Sequence, residues 1–587
     1  MKTLLVMPNY GYSGPYMISL GIMYISSYLK QQGFDVAGLN LNHYGPGKLS
    51  ETLRAGNFDV VATGGLFPQY ANYRAIIETV RRESPKSVVV LGGAIASADP
   101  EFALESLRPD YLILGDAELP MAAFLRALAA GEGMESVAGL AYLKDGRMFR
   151  TAPPVSVGEL DTLPWPDYDA FEFERYLSEF QPSFDQTSWS KHPERRIAPM
   201  ISGRGCAAKC TFCFSSTTVY RWRTIDNVIK EIMHLKSRYG INEVSLWDDL
   251  FSTTKARLLE FCAKVQPLDL VWSCQLRLPV VDEEVLRAMK GTGCNWISYG
   301  LESASPKVLR SMRKGILVPK MEQALLLMRK VGMTIQGNFI FGDPAETWET
   351  AEETLSFYRK HRFDFSNSIS LWAIIPYPGT CLYKDLKDNG KMRNLRRFYE
   401  TGLDEEGRFF NMTKMPDADF HRLMTKVLPA ETKKCRVFGR VAAAKELKPD
   451  FYSITYICPL CRQRSEGVRL AISARDAIGS FRIACPNCLQ RVYVPKLGLL
   501  GPRRLVRFAF QAWMVDFWDW LKTKPIYTRV RYDPRLEAIW DRQKQELAER
   551  HLRDPNTPAL NDLPFFQAIK FRARFMLELV ASLVSCK

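Results

Sequence analysis

Before Cys206 the chain has no cysteine, and across its 587 residues it has only six histidines. The first absence leaves the front third without thiolates for a cluster, and the second weighs against a histidine-rich metal centre. No stretch approaches the ~20 apolar residues that a membrane-spanning helix needs. The start, Met1-Lys2-Thr3-Leu4-Leu5-Val6-Met7-Pro8, has one basic residue and an apolar run too short for a secretory signal, with no small-residue cleavage site behind it. A cytoplasmic location with reduced thiols is therefore expected. No GxGxxG follows the first apolar run, which disfavours a dinucleotide site.

What is present suits a multidomain globular chain. This length needs three or four hydrophobic cores rather than one. Apolar residues make up 47% and charged residues 24%, an ordinary balance for a folded chain. The formal net charge of +15 is uneven: residues 431–587 hold 29 Lys and Arg against 15 Asp and Glu, so the first 430 are nearly neutral. That basic quarter suits an anionic partner or, more plainly, a solvated basic face.

Within an expected first domain over 1–150, residues 1–130 alternate short β-rich runs (Thr3–Met7, Asp35–Leu39, Asp59–Thr63, Ser87–Leu91, Tyr111–Leu114) with stretches of 3.6-residue apolar spacing such as 19–32 and 70–82. Five strands with crossover helices predict an α/β fold, a doubly wound, Rossmann-like parallel sheet. Gly64-Gly65, Gly92-Gly93 and Gly115 are expected in loops at the carboxyl ends of strands three to five, where such sheets bind ligands. Asp145-Gly146 signals a hairpin, and the prolines from Pro153 to Pro166 open a linker over 151–195. A second β/α series follows over 196–400, with strands at Ala198–Ser202, Glu243–Trp247, Val271–Gln275, Trp296–Tyr299, Thr334–Phe341 and Ser368–Ile375. Six such units predict a partial (β/α)6 barrel with its chemistry at the carboxyl strand ends. Beyond it are expected a helical connection over 401–451, a zinc-ribbon-like segment over 452–497 and a basic, aromatic region over 498–587.

Seven of the 13 cysteines form tight groups: Cys206/Cys210/Cys213, Cys458/Cys461 and Cys485/Cys488. Cys262, Cys274, Cys294, Cys381, Cys435 and Cys586 are scattered and read as small buried hydrophobes. The first group stands in Gly203-Arg204-Gly205-Cys206-Ala207-Ala208-Lys209-Cys210-Thr211-Phe212-Cys213, directly after the first barrel strand. Three thiolates on one loop can hold three irons of a 4Fe-4S cube and leave the fourth open to substrate. Structural zinc and a plain electron-transfer cluster would each want a fourth ligand, and none is nearby.

In this loop the chain resembles the radical S-adenosylmethionine (SAM) superfamily, through the CxxxCxxC spacing and the aromatic Phe212. The resemblance extends to Trp247-Asp248-Asp249, Arg277, Gly300-Leu301-Glu302-Ser303, Asn338, Gly342-Asp343-Pro344 and Pro376 to Thr380. These motifs suit the subgroup that carries a cobalamin-binding domain in front. The resemblance implies that S-adenosylmethionine binds the open iron and that one electron cleaves it to a 5′-deoxyadenosyl radical, which attacks an unactivated carbon. It implies that Phe212, Arg277, Glu302, Ser303 and Asn338 hold S-adenosylmethionine. For cobalamin it implies Gly64, Gly65, Leu66, Phe67, Gln69, Gly92, Gly93 and Gly115, with Leu66 or Phe67 covering the lower cobalt face. DxHxxG is missing after the first strand, and His43, after the second, is not read as a ligand. The resemblance also implies an external one-electron donor, such as flavodoxin or ferredoxin, and a small-molecule or lipid-like substrate.

Cys458-Pro459-Leu460-Cys461 and Cys485-Pro486-Asn487-Cys488 are paired knuckles that predict one four-thiolate metal site, with zinc favoured over iron. Arg503, Arg504, Arg507 and Lys522 stand beside Phe508, Phe510, Trp513, Phe517, Trp518 and Trp520. This pattern admits peripheral contact with an anionic membrane surface or stacking on nucleic acid, with a helix packed on the barrel favoured over both. The expected activity is C-methylation by a cobalamin-dependent radical enzyme. A non-methylating cyclase or rearrangement enzyme is the first rival. A methylthiolating enzyme would want extra front-domain cysteines, and a nucleic-acid-binding zinc ribbon with a vestigial barrel would not need the intact triplet.

Overall fold

The computed structural model describes residues 1–9, 18–44, 47–179, 192, 195–215, 219–277, 281–361, 369–428, 440–448, 451–459, 461–471, 480–485, 487 and 491–495. The chain divides into two compact units, and Met1–Gly402, Phe409–Ala471 and Arg482–Val494 make up the unit described below. Cys488 and the tail stretch 503–522 lie outside the described residues.

The first sheet contains β1 (Lys2–Met7), β2 (Asp35–Asn40), β3 (Val60–Gly65), β4 (Val88–Gly93), β5 (Tyr111–Ile113), β6 (Leu140–Lys144) and β7 (Arg147–Arg150) in the order β2-β1-β3-β4-β5-β6-β7. β1 to β5 are parallel, and β6 and β7 add an antiparallel edge through the Asp145-Gly146 turn, whose two residues both have positive φ. The parallel strands are apolar on both faces, as helices on both sides require. Leu5 and Val90 face one core, and Leu4, Val61 and Val89 the other.

The glycine pairs expected in loops lie inside the ladder, with Gly64 opposite Gly92 and Gly65 opposite Gly93. The reason is close approach. A Cβ on Gly64 would stand 2.8 Å from the Gly92 carbonyl oxygen, and one on Gly93 (φ +84°) would stand 2.5 Å from the Gly65 backbone. Only glycine lets β3 and β4 stay paired to their ends.

The segment 151–195 is more than a linker. Its helix Phe173–Glu179 and the turn before it bury Tyr168, Phe171, Phe173 and Tyr176, and Asn40 of β2 donates to the Phe171 carbonyl at 3.2 Å. These four aromatics belong to a core shared by the first sheet and the barrel.

The barrel sheet is wholly parallel. It contains β8 (Ile197–Met200), then, after a short antiparallel pair β9 (Gly203–Arg204) and β10 (Arg221–Trp222), β11 (Glu243–Leu246), β12 (Val271–Leu276), β13 (Cys294–Glu302), β14 (Thr334–Phe341) and β15 (Ile369–Ala373). The order β15-β14-β13-β12-β11-β8 follows the chain, as right-handed β/α units dictate. Amphipathic helices such as Ile225–Tyr239, capped by Thr224, cover the outer face. The Gly300-Leu301-Glu302 motif, expected after the fourth strand, is its last turn of ladder.

The rear segment begins before residue 452. β16 (Arg440–Lys448), placed by sequence in the helical connection, pairs antiparallel with β17 (Phe451–Ile457), which pairs with β18 (Arg464–Ala471). Its run Val441-Ala442-Ala443-Ala444 has no alternation, so pairing rather than local pattern makes it a strand. β19 (Ser480–Ala484) and β20 (Arg491–Pro495) form a separate ribbon. Among the scattered cysteines, Cys262, Cys274 and Cys294 are buried as expected, whereas Cys381 is exposed at the start of a helix.

Candidate active site

The cysteine triplet occupies the loop between β9 and β10 at the carboxyl end of the barrel. Its entry is fixed by Asp248, just past β11, which accepts from Ser202 N at 2.6 Å, Ser202 Oγ at 2.5 Å and Gly203 N at 2.9 Å. Burial pushes that carboxyl up to about 6 against the pull of these donors. Within the loop, Thr211 N donates to Met312 O at 3.1 Å and Cys213 N to Cys210 O at 3.3 Å. Cys206 and Cys210 are half-buried and Cys213 is exposed, and all three are free thiols. Burial raises the Cys210 thiol, which Lys314 and Arg277 pull back toward thiolate, and it raises Cys213 to about 11.

Three of the residues assigned to S-adenosylmethionine meet at this loop. Lys314 Nζ is 2.7 Å from Glu302 Oε1 and 5.8 Å from the centre of the Phe212 ring, and Arg277 donates to the Lys314 carbonyl. Glu302 has φ +61°, a left-handed conformation that turns its carboxylate back over the sheet. A Cβ on Gly300 would collide with both Glu302 Oε1 and Lys314 Nζ, so any larger residue there pushes the tips of the pair aside. Asn338 is exposed on β14 opposite Gly300. By strand alternation it shares the inner barrel face with Gln275, Ser298 and Trp372. Ser303 differs: it is buried, its hydroxyl lies 3.0 Å from Thr354 Oγ1 and it accepts from Ser305 N, so it ties the strand end to a helix. Lys314 had no signal in sequence, being one of 79 Lys and Arg on a loop without a motif.

A cavity of about 310 Å³ lies between the first sheet and the cysteine loop. Gly64, Gly65, Gly92, Gly93 and Gly115 line one side, and Gly203, Arg204, Gly205, Trp247 and Asp249 the other. It opens at the carboxyl ends of β3 and β4, beside the point where the strand order reverses between β1 and β3, the usual ligand crevice of such sheets. Leu66, Phe67 and Gln69 are not in its lining. Phe67 is committed to packing, 5.2 Å edge-on from Phe214 of the cysteine loop and 6.0 Å stacked on Tyr377. Gln69 is buried, with Oε1 3.1 Å from the Tyr73 hydroxyl, while Leu66 is half-exposed. His43 is buried and also outside the lining.

Residues 200–358 match the family model of the radical SAM superfamily, and residues 10–125 match the B12 binding domain. The chain is a radical SAM enzyme with a B12-binding domain. The enzyme is 28% identical over 403 residues to an uncharacterized methyltransferase of Pyrococcus horikoshii, covering 65% of this chain and 83% of that one. It is 25% identical over 417 residues to an anaerobic magnesium-protoporphyrin IX monomethyl ester cyclase of Rubrivivax gelatinosus, covering 68% and 72%. Among solved structures, its fold is similar to that of the radical S-adenosylmethionine methyltransferase TsrM of Kitasatospora setae with cobalamin and a [4Fe-4S] cluster bound. That similarity has a TM-score of 0.57 at 19% identity, covering 74% of this chain and 90% of that one.

The donor sets fit these groups. Three free thiols on one loop suit three cluster irons, and the paired glycines strip side chains from the cavity wall where a flat macrocycle would approach. Among the described residues no helix is long and apolar enough to cross a membrane.

Proposed function

We propose that the enzyme methylates an unactivated carbon of a small-molecule or lipid-like substrate. The observation that carries this reading is the shared cavity, in which the glycine ends of the B12-binding sheet face the base of the cysteine loop. When bound, the cluster and cobalamin supply one-electron cleavage of S-adenosylmethionine and carriage of a methyl group. Cys206, Cys210 and Cys213 hold the cluster. Glu302 and Lys314, neutralised against each other above Gly300, present a carboxylate and an ammonium that suit the charged amino-acid end of S-adenosylmethionine, and Arg277 fixes Lys314 through its carbonyl. Phe212 shields the pair, and Asn338 offers an amide from the inner barrel wall. The turn after β3 packs Phe67 against Phe214 of the cysteine loop and Tyr377, tying the front domain to that loop.

The similarity to a cyclase favours one second reading, radical chemistry without methyl transfer. Anaerobic turnover of the holoenzyme with a chemical reductant separates the two. Methyl transfer yields S-adenosylhomocysteine together with 5′-deoxyadenosine, and 5′-deoxyadenosine alone would favour cyclisation. An external flavodoxin or ferredoxin would replace the chemical reductant in the cell.

The rear cysteines complete the proposal. Cys458, Cys461 and Cys485 place their sulfurs within 4.8 Å of one another, with Cys461 and Cys485 3.7 Å apart. Cys458 N donates to Gln463 O and Arg462 N to Cys458 O, and Arg462 has φ +60°, which curls the knuckle around its sulfurs. Cys488, the fourth cysteine of the two sequence knuckles, lies outside the described residues; the four thiolates of the paired knuckles suit structural zinc.

A further inference from the structure

The cysteine loop is closed at its base by the β9–β10 ladder, in which Arg204 and Arg221 are direct cross-strand partners. Like charges in that position repel, and here both side chains are largely withdrawn from water, 15% and 9% exposed. Left alone, they would drive apart the two ends of the loop that carries the cysteines.

The neutralising charge comes from the B12-binding domain. Glu118 takes both terminal nitrogens of Arg204, at 2.6 and 3.2 Å, across 86 residues of chain. Asp116 accepts from Arg221 Nη2 at 2.6 Å across 105 residues, and it also stands 3.8 Å from Arg204. Arg221 donates in addition to the Val157 carbonyl at 2.6 Å, and Arg204 lies over the Tyr24 ring at 5.1 Å. The loop base is held shut by two carboxylates that do not belong to the barrel.

Those carboxylates are also cavity wall. Gly115, Asp116, Ala117 and Glu118 line the same space as Gly203, Arg204 and Gly205. A ligand seated against the turn after β5 cannot shift that turn without moving Asp116 or Glu118 against its arginine. Pulling a buried pair apart leaves an uncompensated charge out of water, so the arginines follow the carboxylates.

We propose that Asp116 and Glu118 are positioning residues that transmit occupancy of the front cavity to the cysteine loop, so that cobalamin and S-adenosylmethionine bind cooperatively. This rests on the reading of the cavity as the cobalamin site and adds a coupling to it. Coupling of two binding equilibria is reciprocal and reads out without turnover.

Anaerobic calorimetry of the reconstituted full chain, with its cluster oxidised so that no cleavage occurs, measures S-adenosylmethionine binding with and without hydroxocobalamin. In the parent enzyme hydroxocobalamin tightens that binding about fivefold or more. In the Asp116→Asn/Glu118→Gln double variant the factor falls to one, while iron content and the absorbance of bound hydroxocobalamin persist. Glu118→Asp keeps the charge and shortens the reach, so its factor is intermediate, and it serves as the test should the double variant lose its cluster. A parent enzyme that binds hydroxocobalamin without any change in S-adenosylmethionine affinity overturns the coupling alone. So do variants that lose thermal stability yet keep the full factor. A parent enzyme that does not bind hydroxocobalamin overturns the cobalamin reading and the coupling with it.

Discussion

The two cysteine sites of this enzyme are built in opposite ways. In the rear ribbon, Cys458 and Cys485 are buried and Cys461 half-buried, and strand ends bring their sulfurs within 4.8 Å of one another before any metal is considered. In the barrel, the three thiols stand on a loop, Cys213 exposed, with charged and aromatic side chains around them. A structural metal site gains by closing its coordination sphere, because binding energy becomes folding energy. A catalytic cluster must leave one position open, so its ligands cannot enclose it and the surroundings must supply the rest of the shell. Sulfur count is therefore a poor guide to role, and the neighbours of the sulfur decide.

The largest expected effect tests the open site. Alanine at Cys206, Cys210 and Cys213 together abolishes 5′-deoxyadenosine formation in anaerobically reconstituted enzyme and leaves the zinc content at one per chain. Undiminished product from that variant would sink the radical reading. The closed site is tested next by Cys485→Ser, which loses zinc and becomes protease-sensitive between 452 and 497 while keeping its iron. If the intact protein instead holds iron there, with redox-active absorbance that survives loss of the Cys206 triplet, the contrast between the sites disappears.

A smaller effect probes the shell around the open site. Gly300→Ala forces a Cβ into the Glu302–Lys314 pair, so calorimetric affinity for S-adenosylmethionine drops about tenfold, roughly 1.4 kcal/mol, at unchanged iron content. Equal affinity would show that the pair does not contact the ligand.

The last test concerns pH and reads stability alone, leaving the chemistry untouched. The barrel holds buried carboxyls, among them Glu346, which accepts from Thr350 Oγ1 at 2.8 Å and which burial raises to about 7. Because its folded value lies above the unfolded one near 4.5, the folded state holds an extra proton between those values. Stability from this group is full below pH 4.5 and is lost as pH rises toward 7. Glu346→Gln stays neutral throughout, so its thermal midpoint gains on the parent enzyme as pH rises across that window, by up to a few kcal/mol in stability. A constant difference between the two midpoints would refute the assignment.

Much of this was legible along the chain because it is local. The parallel strands of the front domain and the barrel show in apolar runs and helical spacing, and the Cys206 triplet and the rear knuckles show in spacing alone. Where local pattern is thin, the chain itself misleads. The segment 151–195 looked like a proline-rich linker yet buries four aromatics, and Arg440–Lys448 has no strand signature yet forms one by pairing. Phe67 looked available to a ligand until the fold set Phe214 and Tyr377 against it.

By itself the sequence determined the order of the α/β units in the front domain and the barrel, since apolar runs and helical spacing depend on residues within a few positions of one another. Only the tertiary structure decided that Lys314 pairs with Glu302, that Ser303 turns to a helix, and that Asp116 and Glu118 clasp Arg204 and Arg221. Ion pairs across 86 and 105 residues leave no periodicity or spacing to read. They exist because packing two sheets against each other withdraws those charges from water, and a charge so placed must find its opposite.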